Sequence, residues 1–581
     1  MKYKLISELP LYDSPIEQIL RNRGIEDPIH YINSTDKDIN DPKLLGKNLE
    51  IAMFTLLKHI KSNSETLIIV DSDCDGFTSS AFLLNYLYDF VPSWVTSKVS
   101  WIFHEGKQHG LSDIMEVIQN NNYKLVIIPD AGSNDNEQCT YLKNENIDFI
   151  ILDHHEIESK PEDFMCVINN QLSDYPNKDF SGVGIVWQFC RFLDSYRGGN
   201  YADNYLDLVA LGNVGDMMSL TSIETKHIIQ KGFEPENVKN PFIFNMWQKN
   251  KFKIGDVITH FGAAFYIVPF INAVNRSGTK SEKEIVFAAM LNFMANQKIT
   301  STKRGHSLGE EETLCEQAMR VCTNVKNRQT KAEDAGLTFI EKMIEENNML
   351  KHKVLLFLLK PGQVDKNIAG LIANKIMAKY QRPCCILTKD PETNMYAGSA
   401  RGYHKSGVES FKDICAETGL IEFVAGHANA FGLGIKEENI ENFIMLTDEA
   451  LANISPEPVY YVDYIFNENT VDQNLILDLA SYTGWGQDVD KPLVVIKDVT
   501  ITPDNFKIMR ANTLKILLPN NLSIIRFGGT EKEIEDFTVE QGSFSADIVC
   551  ECERNEWNGN VYAQLKLKDY EIIDKSLQYY F

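Results

Sequence analysis

Acidic residues and histidines follow three short apolar runs in the first third of the chain. The three apolar runs and the polar segments after them are residues 67–70 before Asp71-Ser72-Asp73-Cys74-Asp75-Gly76, residues 125–128 before Pro129-Asp130-Ala131-Gly132, and residues 149–152 before Asp153-His154-His155. Carboxylate oxygens and imidazole nitrogens suit hard or borderline divalent cations such as Mn²⁺ and Mg²⁺. These segments therefore predict metal-dependent chemistry if the fold brings them together.

The apolar runs have the length and the Ile, Val and Leu content of strands that are buried on both faces. Helical patterns separate them, which predicts a parallel sheet. Open α/β sheets bind ligands beyond the carboxyl ends of their strands. We therefore expect the acids and histidines to gather at that edge of the sheet.

Two other interpretations compete with a metal site of this kind. The spacing of Asp71, Asp73 and Asp75 also begins an EF-hand calcium loop, but Phe82 then stands at the twelfth position, where a bidentate Glu is required. A solvated acidic turn after one strand is common. Its recurrence at three strand ends, with the pair His154 and His155 after an acid, makes that interpretation the weaker one.

The three polar segments, followed by Gly212-Asn213-Val214-Gly215-Asp216, resemble the four metal motifs of the DHH phosphoesterase superfamily in their usual order. The resemblance is closer still to the RecJ single-strand-specific exonucleases. It extends through residues 23–28, 208–212, 269–276, 398–401 and 426–432, the last of which resembles the glycine-histidine motif of the DHHA1 domain. It covers nearly the whole chain and is sparse between about 285 and 350.

The resemblance implies two divalent metal ions, Mn²⁺ or Mg²⁺, and a nucleophile that is not a side chain. The implied ligands are Asp75, His154 and Asp216 on one ion, Asp73 on the other, and Asp130 bridging both. Two catalytic positions remain. Asp71 would lie behind the ligands or bind conditionally, and His155 would donate to the charge that develops on the phosphate.

The resemblance also implies a substrate-binding set, consisting of Asn272, Arg276, Ser399, Arg401, Gly426 and His427. A guanidinium offers bidentate contact to phosphate oxygens, so Ser399 and Arg401 would suit a terminal phosphate. Further phosphate contacts are expected from a basic track that includes Arg320, Arg328, Lys375, Lys379 and Arg382, and base stacking from Trp485 or Trp557. The chain departs from the family pattern at Ala425 and Asn275, where glycines are usual, which leaves substrate length and end preference open.

Composition and patterning predict several domains in the 581 residues. The expected fold class is α/β, with a parallel-sheet DHH domain and a smaller α/β DHHA1 domain joined by a long helix, and a C-terminal OB-like β-barrel. The expected boundaries are a helical leader at 1–48, the DHH catalytic domain at 49–285, the connecting helix at 286–350, the DHHA1 domain at 351–455 and the OB-like domain at 456–581.

The implied function is a metal-dependent exonuclease that degrades single-stranded DNA from 5′ to 3′ into 5′-mononucleotides, in repair, recombination or replication. The alternatives are a DHH phosphodiesterase acting on short oligonucleotides or cyclic dinucleotides, and a non-enzymatic replication factor. A formal charge of −24 argues against a protein that coats nucleic acid indiscriminately.

The implied partners are single-stranded DNA and, as candidates, a single-strand-binding protein or a helicase. The N-terminus lacks an apolar signal region and no apolar stretch reaches membrane-spanning length. We therefore expect a monomer in the cytoplasm without membrane association.

Overall fold

The computed structural model describes residues 1–7, 14–104, 109–403, 408–453, 459–557 and 559–574. Within these ranges the chain forms two compact units. The first consists of residues 29–330 and 484–489, and the second of residues 1–28, 331–483 and 490–581. None of the helices in the described ranges is long and apolar enough to cross a membrane.

The N-terminal segment begins with a strand, although we expected a helical leader. Its elements are β1 (Lys2–Leu5), α1 (Pro15–Asn22), α2 (Pro28–Ile32) and α3 (Asn48–Lys61). β1 pairs in parallel with the strand Val459–Val462 of the same unit. Its apolar residues Tyr3 and Leu5 pack on a small core that includes Val495. The alternation of Lys with Tyr and Leu at residues 2–5 was the available strand signal.

A five-stranded parallel sheet, in the order β3-β2-β4-β5-β6, lies at the centre of the first unit. Its strands and the helices around them are β2 (Thr66–Val70), α4 (Cys74–Phe90), α5 (Pro92–Lys98), β3 (Val99–Phe103), α6 (Met115–Gln119), β4 (Leu125–Pro129), α7 (Asn136–Asn144), β5 (Asp148–Asp153), β6 (Val167–Asn169) and α8 (Gly182–Arg197). All residues of β2 and β4 are buried. The predicted parallel sheet is therefore confirmed, and apolar side chains on both strand faces explain it.

The rest of the first unit is mainly helical. Its elements are α9 (Leu206–Gly215), α10 (Ile223–Gly232), α11 (Pro241–Lys249), α12 (Lys251–Ile254), α13 (His260–Tyr266), α14 (Val268–Ser277), α15 (Lys280–Met290), α16 (Asn292–Ala295), β7 (Lys298–Thr300), β8 (Glu311–Thr313) and the first part of α17 (Leu314–Glu346). The long helix begins only at Leu314, whereas we expected helix from about 286. Thr313 caps it by accepting a hydrogen bond from the Glu316 amide, while the Glu316 carboxylate accepts one from the Thr313 amide.

The second unit contains a mixed five-stranded sheet in the order β12-β13-β11-β10-β9. Its elements are β9 (Leu355–Leu359), α18 (Ala369–Tyr380), β10 (Cys384–Lys389), β11 (Met395–Arg401), α19 (Phe411–Glu417), β12 (Ile421–His427), β13 (Ala430–Lys436) and α20 (Ile440–Ala450). β9 and β10 are parallel, and the other neighbours are antiparallel. This sheet is the smaller α/β domain of the predicted fold class.

The C-terminal part of the same unit forms a seven-stranded sheet in the order β15-β16-β20-β21-β19-β18-β17. Its elements, with the strand that pairs with β1, are β14 (Val459–Val462), β15 (Tyr464–Asn467), α21 (Gln473–Ser481), β16 (Leu493–Ile501), β17 (Phe506–Met509), β18 (Thr513–Leu517), β19 (Ser523–Arg526), α22 (Glu531–Phe537), β20 (Phe544–Trp557) and β21 (Asn560–Asp574). The strands predicted near 493, 513, 522 and 561 are all present.

Candidate active site

The polar segments gather at the carboxyl edge of the parallel sheet, because β2, β4 and β5 are neighbours that run in one direction. Asp71 follows β2, Asp130 follows β4, and His154 follows β5. Asp216 arrives from elsewhere in the chain, at the C-terminal end of α9. Sequence order alone gives no reason for this last approach, which depends on the packing of α9 against α4 and α8.

Helix ends hold the carboxylates in place. Asp73 caps α4, and its carboxylate accepts a hydrogen bond of 2.9 Å from the Gly76 amide. Asp75 accepts hydrogen bonds of 2.6 Å from the Gly182 amide and 3.2 Å from the Val183 amide. These amides belong to the first turn of α8, where free N–H groups favour a negative charge. Both acids are therefore fixed before any ligand binds.

Three glycines leave room for the acids. A Cβ atom at Gly76 would overlap Asp71, one at Gly182 would overlap the Asp130 carboxylate, and one at Gly212 would overlap the Asp75 carboxylate. The absence of a side chain on these glycines allows three separate backbone segments to approach the cluster closely.

The structure brings together all seven residues that were predicted as metal ligands or catalytic groups. Their possible ligand atoms form three sets, each within 4.8 Å, which are Asp75, His154 and Asp216, then Asp71, Asp73 and Asp130, and then Asp130, His154 and His155. His154 Nε2 lies 3.3 Å from Asp130 Oδ1 and 3.3 Å from Asp216 Oδ2. Asp130 and His154 each belong to two sets, so they connect the cluster.

Burial and mutual repulsion disfavour the charged forms of these acids. Burial, together with the charges of Asp71 and Asp75, raises the pKa of Asp73 to about 7. Burial and the neighbouring carboxylates also raise the pKa values of Asp130 and Asp216 well above the usual range. The cluster is thus stabilised by added positive charge.

The donor atoms fit a hard divalent cation. Asp71 Oδ1 and Asp130 Oδ1 are buried and have no hydrogen-bond partner among the described residues. Buried oxygens without donors are costly unless a cation or water meets them. Several carboxylate oxygens and one or two imidazole nitrogens are ligands that suit Mn²⁺ and Mg²⁺. The residues therefore fit divalent cations of the kind that the resemblance implied.

His155 differs from the ligand acids because a carboxylate orients it. Asp153 Oδ1 accepts a hydrogen bond of 2.7 Å from His155 Nδ1, and Asp153 Oδ2 accepts one of 3.0 Å from the Ser133 amide. Although burial opposes both changes, this pair raises the pKa of His155 to about 9 and keeps the pKa of Asp153 well below its usual range. The Asp153 carboxylate therefore favours the protonated form of His155, whose Nε2 can donate to a phosphate. We had assigned Asp153 no role, although it directly precedes the histidine pair.

Two further histidines near Asp71 were not predicted. His104 is fully buried, its Nδ1 lies 2.8 Å from the Asp113 carboxylate, and its Nε2 lies 3.6 Å from Asp71 Oδ1. His109 Nδ1 lies 3.6 Å from Asp71 Oδ2, and its ring meets that of His155 edge to face with centroids 5.0 Å apart. Each is a single histidine without a metal spacing, so the sequence carried no local signal for it.

The predicted substrate-binding residues fall in both units. Asn272 and Arg276 lie one helical turn apart on α14 of the first unit, and the other four lie on strands of the second unit. Ser399 and Arg401 alternate along β11 and therefore share one face of its sheet. A Cβ at Gly370, near the start of α18, would overlap the Arg401 guanidinium and lie 3.4 Å from Ser399 Oγ. These two side chains thus meet at a helix N-terminus, which favours anions.

Gly426 and His427 lie on the edge strand of the same sheet. Arg401 is opposite Ala430 of β13, and Ala430 is opposite His427 of β12. Gly426 has a φ of 121°, a conformation that favours glycine. His427 is exposed. The strand register therefore places the cationic and imidazole groups in one row across three strands.

Of the other predicted contacts with nucleic acid, Trp485 is excluded, Trp557 cannot be assessed, and the basic residues are engaged within the protein. Trp485 is 2 % exposed, so it cannot stack on a base; it is a core residue of the first unit. The side chain of Trp557 lies outside the described residues. The basic track is largely ion-paired, with pairs Arg320–Glu312, Arg328–Glu282, Lys375–Glu333 and Lys379–Glu341. Arg382 donates to the carbonyls of Leu350 and His352.

Comparison with known families gives two matches. The family described as "DHH family, N-terminal domain" matches residues 65–213, which include the parallel sheet and most of the acid cluster. The family described as "RecJ OB domain" matches residues 462–569, which include most of the seven-stranded sheet.

Comparison with individual proteins extends the similarity to the whole chain. The SPbeta prophage-derived protein YorK of Bacillus subtilis (strain 168), assigned as a single-strand DNA-specific exonuclease, is 31% identical over 580 residues, which cover 99% of this chain and 98% of YorK. The single-stranded-DNA-specific exonuclease RecJ of the same strain is 24% identical, over 99% of this chain and 70% of RecJ. The crystal structure of RecJ in complex with Mn²⁺ from Thermus thermophilus matches the fold with a TM-score of 0.71 at 17% identity, over 99% of this chain and 80% of that one.

Proposed function

Because the chain belongs to the RecJ-like branch of the DHH phosphoesterase superfamily, we propose that it is a metal-dependent exonuclease acting on single-stranded DNA. The observation that carries this proposal is the convergence of five aspartates and two histidines at the carboxyl edge of the parallel sheet. A cluster of raised-pKa acids at such an edge is a poor structural element and a good cation site. The OB-domain match supports a polymeric substrate over a dinucleotide.

We propose that the cluster holds two divalent ions. Asp75, His154 and Asp216 would hold one ion, and Asp73 with Asp71 the other, while Asp130 would contact both because it lies in two of the three sets. When bound, such ions would neutralise phosphate charge and lower the pKa of water, so that a nucleophile is available at neutral pH. The protein contributes acids of fixed orientation, since the Gly76 amide donates a hydrogen bond to Asp73 and the Gly182 amide donates one to Asp75.

His155 would donate a hydrogen bond to a non-bridging oxygen of the scissile phosphate. Its Nδ1 is engaged by Asp153, which leaves Nε2 as the donor. Its side chain is 39% exposed, so a substrate can reach it. A fixed cationic donor stabilises charge that develops in the transition state, and no reorganisation is needed at the moment of reaction.

The 5′ end of the strand would be recognised in the second unit. Ser399 and Arg401 meet at the start of α18, and His427 lies in register with Arg401. Two hydrogen bonds from a guanidinium to a terminal phosphate would select a 5′-phosphorylated end. Asn272 and Arg276 would bind the next phosphates, and Gly426 would allow close backbone approach. This assignment implies 5′ to 3′ polarity and release of 5′-mononucleotides.

A single-strand nuclease of this kind would act on DNA in the cytoplasm during repair, recombination or replication. A single-strand-binding protein or a helicase would supply its substrate. We expect the protein to work as a monomer, since both proposed sites are built from one chain.

The test compares four substrates at saturating Mn²⁺. They are a 5′-phosphorylated single strand, the same strand with a 5′-hydroxyl, the same sequence as a blunt duplex, and a dinucleotide. We expect fast stepwise release of mononucleotides from the 5′ end of the single strand and slow release from the duplex. Faster cleavage of the dinucleotide than of the long strand would instead support a short-substrate phosphodiesterase. Binding without hydrolysis of any substrate would support a non-enzymatic factor.

A further inference from the structure

One stretch of this acidic chain is almost free of acids. Residues 237–281 contain a single acid, Asp256, although the whole chain has 81 acids in 581 residues. The same stretch has six cationic side chains, Lys239, Lys249, Lys251, Lys253, Arg276 and Lys280. A net charge of −24 disfavours phosphates on average, and an anionic chain meets less repulsion along this acid-poor stretch.

Exposed aromatic rings lie among these lysines. Phe252 is 100% exposed and stands between Lys251 and Lys253 on α12. Phe265 on α13 is 64% exposed and stacks on Phe261, with ring centroids 6.2 Å apart. Large apolar rings are normally buried, and an exposed ring beside cations is the arrangement on which single-stranded bases stack.

The exposed rings stand on a fixed support. Lys253 Nζ lies 5.4 Å from the centre of the Tyr266 ring, and Asn250 Nδ2 donates to the Tyr266 carbonyl at 3.4 Å, which joins α12 to α13. The buried Trp247 donates from Nε1 to the Gly255 carbonyl at 3.0 Å and anchors the end of α12. These contacts hold the backbone that carries the rings, so that binding has to order little more than the side chains.

The lysines of this stretch remain available to an anion. Lys249 and Lys253 have no acidic partner among the residues that the structure describes, and the Lys251–Asp256 pair at 3.1 Å is well exposed, so solvent weakens it. This differs from the cations at 320–379, which are held by carboxylates. α13 also packs against α9, which leads to Asp216, and against α14, which carries Arg276.

We propose that Lys251, Phe252, Lys253, Phe265 and Tyr266, which we call the Phe252 face, form a second binding surface for single-stranded DNA. Bases of the strand that is not yet at the metal centre stack on Phe252 and Phe265, and its phosphates lie near Lys251 and Lys253. The inference rests on the proposed function in taking single-stranded DNA as the substrate. It adds a surface that grips the strand outside the catalytic cluster.

The test uses the double variant Phe252→Ala/Lys253→Ala in the full-length protein. The matched control is Phe54→Ala/Lys61→Ala on α3 of the same unit, where Phe54 is 62% exposed and Lys61 is also exposed. The first measurement is fluorescence anisotropy of a labelled oligothymidylate of about 30 nucleotides in EDTA, because a single-strand site covers roughly 4 to 16 nucleotides. The second is KM for that strand and for a short strand, a dinucleotide, which offers no bases beyond those next to the scissile phosphate. Thermal unfolding checks that each variant is folded.

We expect the double variant to weaken binding of the long strand about tenfold or more, since stacking on one aromatic ring contributes about that much. KM for the long strand should rise by a similar factor, while KM for the short strand and all values for the control should stay unchanged. Phe252→Trp, which keeps a stacking ring, should bind like the wild type.

Unchanged binding of the long strand, or an equal loss on both lengths, would overturn the inference. In the first case the face would serve another partner, and in the second it would act through the fold. If the wild type hydrolyses neither strand, the proposed nuclease activity fails, whereas the anisotropy measurement in EDTA still decides whether the face binds DNA.

Discussion

The acid cluster of the parallel sheet and the cationic row on β11 and β12 are both proposed to handle phosphate, but they are built in opposite ways. The acids are buried, with Asp75 and Asp130 each only 1% exposed, and backbone amides and glycines fix them. The cationic row is open, since His427 is exposed and Arg401 is only partly buried. A buried cluster of like charge needs a cation before it can accept an anion, whereas an open cationic row can accept an anion directly.

This difference predicts which kinetic constant should change when a residue of each region is replaced. Removing a buried acid changes the cation site and with it the chemical step, so kcat should fall. Removing an exposed cation changes how strongly one end of the substrate is held, so KM should rise.

The largest effect is expected at the residue that connects the acid sets. Asp130→Ala should lower kcat by about a thousandfold or more, because ions placed at a phosphate contribute several kcal/mol to the transition state. Asp71→Ala should lose less, since Asp71 belongs to one set only. Single-turnover hydrolysis of a 5′-phosphorylated strand at saturating Mn²⁺ measures both. A fully active Asp130→Ala variant would refute the shared position of Asp130.

Substitution of Arg401 is expected to weaken mainly the binding of strands that carry a 5′-phosphate. Arg401→Ala should raise KM for 5′-phosphorylated strands by about tenfold to a hundredfold, because charge-assisted hydrogen bonds contribute roughly 1.5–3 kcal/mol. The effect on a 5′-hydroxyl strand should be smaller, and Arg401→Lys should rescue only in part, since an ammonium lacks the planar fork. Steady-state kinetics at one salt concentration gives the answer. Equal losses on both ends would show that Arg401 supports the fold or reads the backbone.

A smaller loss is expected on substitution of Asp113, which contacts His104 beside the acid cluster. Asp113 engages His104 Nδ1 at 2.8 Å and thereby orients His104 Nε2 toward Asp71. Asp113→Asn should weaken Mn²⁺ activation about tenfold, as is usual for partners that orient ligand residues, and should leave kcat at saturating Mn²⁺ nearly unchanged. Titration of activity with Mn²⁺ measures this, with the exposed Asp174→Asn as control. An unaltered Mn²⁺ midpoint would mean that His104 only packs.

The smallest effect is on stability. The pKa of Asp73 is about 7 in the folded protein and 3.8 without the fold, so the folded state holds its proton more tightly. A group of this kind destabilises the folded state progressively as pH rises from about 4 to 7. In EDTA, the melting temperature should therefore fall by a few degrees over this range, and Mn²⁺ should remove the fall. Asp73→Asn should reduce the slope. A melting temperature in EDTA that rises with pH would contradict the repulsive cluster.

The strand-end part of the acid cluster could be predicted because its motifs are local, whereas Asp216, at the end of α9, was indicated only by the family resemblance. An apolar run followed by an acid fixes both a buried strand and the position of the acid at its end, and parallel strands bring such ends together. His104, His109 and Asp113 could not be found in this way. They reach Asp71 through the loop after β3, and neither histidine has a patterned neighbour in sequence.

The extent of each unit was harder to predict, because some contacts within a unit join residues that are distant in sequence. Residues 484–489 pack in the first unit although their neighbours belong to the second, and the Leu220 amide donates to the Gln487 carbonyl. Trp485 is buried for that reason, whereas the family resemblance suggested a stacking residue, with a core position as the alternative. The length of α17 was misjudged for a local reason, since the Thr313 and Glu316 capping pair already marked its start.

The pairing of β1 with β14 constrains the order in which parts of the chain can fold during synthesis. Lys2 pairs with Val459, so β1 is synthesised long before its partner strand and must wait for it. At roughly 5–20 residues per second the wait is about 20–90 seconds, long enough for residues 29–330 to fold first. Until then β1 offers an open strand edge.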